Sequence, residues 1–128
     1  MITFKSDEAN RILTIEMTGM ITEADIDTAM DQLQAQFPGV GVHIRGGEHG
    51  GFNVLIDWEN LEGWEKGAKT VGMMMAKFIS DAMHKVAVVA DAKWADEQPR
   101  LADIAKHATI RFFPPRERAS AGAWLSAK

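Results

Sequence analysis

Phe52-Asn53-Val54-Leu55-Ile56-Asp57-Trp58 and Val86-Ala87-Val88-Val89-Ala90-Asp91 are the two stretches on which the fold turns. Each is a compact, mainly aliphatic run that reaches an aspartate, the pattern of a strand buried on both faces. Between them Trp64, Ala68, Val71, Met75, Phe78 and Ala82 step by four and three, with Lys66, Lys69 and Lys77 mostly off that line. This spacing predicts a helix with a core-facing stripe over residues 64–82. Strand, helix and strand in that order imply a parallel pair joined by a right-handed crossover.

Toward the C-terminus, Lys93 to Gln98 reads as a separate short turn, and Leu101, Ile104 and Ala105 mark a helix with Pro99 in its first turn, where the missing N–H does no harm. Thr109 to Phe113 is a last strand closed by Pro114-Pro115, and Arg116 to Ser126 a final helix using Ala119, Ala123, Trp124 and Leu125. Toward the N-terminus, Ile2 to Phe4 and Ile12 to Met17 form an antiparallel hairpin across the turn formers Ser6 to Asn10. Gly19 releases the chain, and Thr22 with Asp25 makes a variant capping box for a helix whose inner face is Ile26, Ala29, Met30, Leu33 and Phe37. Pro38-Gly39 ends it. Residues 39–51 hold six of the eleven glycines and read as a flexible loop within the domain, with Val42 to Arg45 as a short extended arm. The expected architecture is α/β: a single domain over residues 1–128, with a mixed sheet of about five strands and about four helices in the order ββαβαβαβα. The pattern fits helices on one face of the sheet or on both.

Composition agrees with one ordinary core: 128 residues, 46% hydrophobic and 25% charged. The chain has no cysteine, which excludes disulfides, thiolate metal sites and a cysteine nucleophile, and fits a cytoplasmic setting. No apolar run reaches the ~18 residues of a membrane span or looks like a signal peptide, so the protein is expected to stay where it is made. Residues 1–64 carry 3 Lys+Arg against 11 Asp+Glu, and residues 65–128 carry 11 against 7, giving −8 and +4. Halves that share one core are then expected to meet through complementary charge. A pI near 5.5 argues against a nucleic-acid partner.

Five segments together carry a family resemblance. They are Ile21-Thr22-Glu23-Ala24-Asp25, Asp57-Trp58-Glu59-Asn60-Leu61-Glu62-Gly63-Trp64, Val86 to Trp94, Ile110-Arg111-Phe112-Phe113 and Ala123-Trp124-Leu125. In this order, over nearly the whole chain, the sequence resembles the SpoIIAA-like family, related to STAS and Sec14 domains. The resemblance implies the fold of the anti-sigma-factor antagonists and no established enzymatic activity. Two departures stand out. Phosphorylated antagonists carry Ser or Thr at the start of the helix after the third strand, whereas residues 54–69 contain neither and Thr70 lies too far along, so that switch is not expected. The glycine-rich segment 39–51 is longer than the family pattern and reads as an insertion.

Ligands of parallel sheets gather beyond the carboxyl ends of the strands. That rule selects Asp57, Trp58, Glu59, Trp64, Asp91, Lys93 and Trp94 as the binding rim, with Phe113 beside it. The same acids also read as helix caps and the tryptophans as packing. Asp57 and Asp91 could share acid/base work only if held within about 10 Å at different pKa values, and no His or nucleophile stands near them in sequence. Met73, Met74 and Met75 cannot all face inward on one helix, so one of them lines a flank, a groove or a subunit contact. His43 and His49 flank Glu48 in a loop too pliable to fix a metal, and none is expected. His84 and His107, each just before a strand, are expected at the surface. Gly41 to Glu48 has the glycine spacing of a phosphate loop without its Lys-Ser/Thr. No cofactor is expected. The expected role is a non-catalytic regulatory module that binds a protein partner or itself, with a carrier of a hydrophobic small molecule as the alternative and a carboxylate hydrolase third.

Overall fold

The computed structural model describes residues 1–7, 12–36, 52–68, 70, 83–97, 99, 103 and 109–127. Strands β1 (Ile2–Asp7), β2 (Ile12–Met17), β4 (Phe52–Asp57), β6 (Met83–Val89) and β7 (Thr109–Phe113) form one sheet in the order β1-β2-β4-β6-β7. Only β1 and β2 run antiparallel; the other pairings are parallel. The hairpin, the mixed sheet and its five strands are therefore as the sequence implies.

Two short strands were not foreseen. β3 (Gly19–Ile21) and β5 (Leu61–Trp64) pair with each other in parallel as a separate ribbon. Trp64 thus ends a strand and does not open a helix. The four-residue step from Trp64 to Ala68 suits a helix, but Gly67 at φ 89° between them interrupts any continuous helix from Trp64. Ala68 and Thr70 are helical, and residues 71–82 lie outside the described residues. Pro99 and Asp103 are also helical. Among the described residues two α-helices are delimited, α1 (Glu23–Gln36) and α2 (Arg118–Ser126), where about four were expected. A 3-10 segment, Ala92–Glu97, stands where the sequence implies a short turn, and another, Pro115–Glu117, precedes α2. β6 begins earlier than expected, so His84 lies within it, exposed. The glycine-rich segment 39–51 and His107 lie outside the described residues.

Alternation sorts the side chains onto two faces. On the first, Leu13, Ile15 and Met17 of β2, Val54 of β4 and Val86 and Val88 of β6 share one core with Ile26, Ala29 and Leu33 of α1, with Leu61 and with Ala68. The described residues Ile26, Leu61, Ala68 and Trp94, each from a different stretch between parallel strands or beside them, lie on this same side, as right-handed crossovers require of successive parallel strands. On the second face Leu55, Ala87, Val89 and Phe113 pack under Ala121 and Leu125 of α2. The sheet is covered on both sides.

α1 starts where sequence places it. Asp25 Oδ2 accepts the Thr22 backbone N–H and Thr22 Oγ1 accepts that of Asp25, each at 3.0 Å. Two donors at the helix start are so satisfied reciprocally. The Thr22 N–H and the nearby N-terminal ammonium hold the Asp25 carboxyl below its ordinary range against a smaller opposing effect of burial.

Candidate functional site

Asp57 aligns with Val89 and Val89 with Phe113, so β4, β6 and β7 end along one border. Just past it the Trp58 N–H donates to Val89 O at 2.8 Å and the Ala90 N–H to Phe113 O at 3.0 Å, which extends the sheet by one residue. Asp91 follows directly, so Asp57 and Asp91 stand on the same border.

Successive residues of the turn after β4 face opposite ways. Trp58 points into the first face, is 4% exposed, and donates its indole N–H to Met17 Sδ at 3.0 Å. It is the hub of an aromatic cluster: Trp64, Trp94 and Phe112 meet it edge-on, with ring centroids 6.1, 5.9 and 6.0 Å away. Edge-to-face contacts of this kind add ~0.5–1.5 kcal/mol each beyond area burial. Trp58 is therefore core, which corrects its assignment to an accessible rim. Trp64 and Trp94 are half-buried against it. Trp94 Nε1 is buried and finds no acceptor among the described residues. Lys93 places its ammonium 5.3 Å from the Trp94 ring centroid, and both Lys93 and Asp91 are exposed.

Asp57 points into the second face. Its Oδ1 accepts the Glu59 N–H at 2.9 Å, an Asx-type turn that bends the chain from β4 toward β5. Its Oδ2 accepts from Arg118 Nη1 at 2.5 Å, and the same nitrogen reaches Glu59 Oε2 at 2.9 Å. Asp57 is 4% exposed, the one charged residue buried among the described residues. The bond from Asp57 raises the Arg118 guanidinium above its ordinary value, with partial burial opposing it. A carboxylate engaged at both oxygens is badly placed to shuttle protons, and Asp91 stands apart in solvent. This is a structural clamp.

The border thus unites Asp57, Trp58, Glu59, Trp64, Asp91, Lys93 and Trp94, but splits them between an aromatic cluster around buried Trp58, a clamp on the other face, and an exposed pair. Arg118 was missed by sequence reasoning. Its signal was a cation at a helix start, where the macrodipole disfavours it unless a carboxylate is near. Met17 and Phe112 were legible only as core. Among the described residues no three His, Asp or Glu side chains gather as a metal ion would need. His43 and His49 fall outside them, as do Met73 to Met75, on which the carrier expectation rests. Among the described residues no helix is long and apolar enough to cross a membrane.

A family model described as SpoIIAA-like matches residues 12–126. The chain belongs to the SpoIIAA-like family. Its fold is similar to the crystal structure of an uncharacterized DUF3478-family protein with a SpoIIAA-like fold from Shewanella loihica PV-4. The two share 18% identity at a TM-score of 0.74, over 98% of this chain and 92% of that one. Comparison with curated proteins found no match. SpoIIAA-like membership supports, at the level of class, a regulatory or binding module that takes part in protein interactions rather than an enzyme.

Proposed function

We propose that this SpoIIAA-like chain is a non-catalytic module that docks a protein partner, or a second copy of itself, at the carboxyl border of its parallel strands. The observation that carries the reading is the half-buried pair Trp64 and Trp94, braced on the fully buried Trp58. Indoles held by packing are low-entropy anchors, and tryptophan is enriched at the centres of protein interfaces. The exposed Asp91 and Lys93 supply a polar rim. The engagement of Asp57 by Arg118 supports a non-catalytic role, and the absence of cysteine a cytoplasmic one.

In-cell crosslinking from Lys93 is expected to join a second polypeptide, and Trp64→Ala to lose that product while keeping the native circular dichroism spectrum. Crosslinks confined to other surfaces would remove the border from the binding site. Native mass spectrometry of the purified chain separates the carrier alternative, which requires a co-purifying small-molecule mass.

A further inference from the structure

We infer that α2 is a releasable strap: residues 118–126 undock and melt as a unit while the five-stranded sheet stays folded, uncovering the apolar strip of Leu55, Ala87, Val89 and Phe113. The inference concerns the second face and stands apart from the docking border proposed above.

The helix contributes little of its own cohesion. It has nine residues, below the length at which an isolated helix holds in water, and no side chain caps its start. Only Ala121 and Leu125 are fully buried, with Trp124 partly so. Gly122 sits mid-helix, and a Cβ built there would meet nothing within 4 Å. Interior glycine weakens a helix, and here no packing constraint requires it.

Beside the packing of Leu125 and Trp124, what fastens α2 is polar and lies at its two ends. At the start, Arg118 reaches Asp57 and Glu59 through a side chain that is 42% exposed, where water competes. At the end, Lys85 Nζ donates to Trp124 O at 3.0 Å and Ala127 O at 2.7 Å, while Asn53 Nδ2 donates to Leu125 O at 2.7 Å. A lysine ammonium on the last carbonyls also suits the negative helix end. The connection to β7 runs through Pro114 and Pro115, which have no N–H with which to fasten it to the sheet. Two clasps, a weak helix and a connection that opens on two prolines define an element that opens below the global unfolding free energy.

Amide hydrogen exchange on the full chain, read by mass spectrometry or NMR, tests this. Amides of residues 122–127 are expected to exchange at least tenfold faster than those of residues 54–56 and 87–89. Gly122→Ala, which fits without contact, should slow the 122–127 amides about fivefold and leave the strand amides unchanged. Lys85→Met should speed the same amides about tenfold, again without moving the strands. Equal protection of helix and strands, or a Gly122→Ala effect spread evenly over both, would make α2 part of the global cooperative unit and overturn the inference. Because no partner enters this experiment, its failure leaves the border reading intact, and the crosslinking result leaves this one intact.

Discussion

α1 and α2 close opposite faces of one sheet by different means. α1 spans 14 residues, opens on the reciprocal Thr22–Asp25 pair and buries Ile26, Ala29 and Leu33 in a core that also holds the Trp58 cluster. α2 spans 9 residues, opens without a side-chain cap and is fastened by Arg118 at one end and by Lys85 and Asn53 at the other. The first face is held by packing, which is non-directional and spread over many residues. Much of the hold on the second lies in a few hydrogen bonds and ion pairs that water can replace.

Substitutions should separate the two regimes. Trp58→Ala removes the ring on which three others rest, and about 3–5 kcal/mol of stability should go, seen as a large drop in the urea midpoint. A smaller loss from Trp58 than from Leu125 would invert the ranking of the faces. Leu125→Ala should cost about 2–3 kcal/mol, with amide protection lost mainly in α2. Arg118→Met strips the partner from buried Asp57, yet half of that bridge is wet, so about 1–2 kcal/mol is expected in the same urea measurement.

The smallest effect tests the cap of α1. Asp25→Ala should cost about 1 kcal/mol at neutral pH, read from thermal unfolding. Because the folded-state pKa of Asp25 lies below its unfolded value, its contribution is complete above the unfolded pKa and fades as pH falls through the folded one. The gap between wild type and Asp25→Ala should therefore narrow below about pH 4. A gap that widens on acidification would contradict the assigned hydrogen bonds.

The central strands, the hairpin, the α1 cap and the common border were legible because each has a local cause: apolar runs, turn formers, a Thr-x-x-Asp spacing and the handedness of crossovers. The short ribbon β3 with β5 was not, since Gly19-Met20-Ile21 and Leu61 to Trp64 become strands only by meeting across some forty residues of sequence. Trp58 and Asp57 read together as a site because ligands gather at strand ends. Neighbours in a strand face opposite sides, however, and the two serve different structures, one aromatic and one ionic. Arg118 pairs with Asp57 and Glu59 from the far end of the chain, and the −8 and +4 charge asymmetry of the two halves points to such pairing without naming the residues.

The strand order β1-β2-β4-β6-β7 is also the order in which the ribosome delivers those strands. Each newly emerged segment finds its neighbour already in place at the growing margin, so assembly proceeds outward with no earlier pair to be parted. Until the next strand arrives, that margin is an open parallel edge, first of β2, then of β4, then of β6. A chain cut off after residue 64 would hold β4 as its open, aggregation-prone boundary.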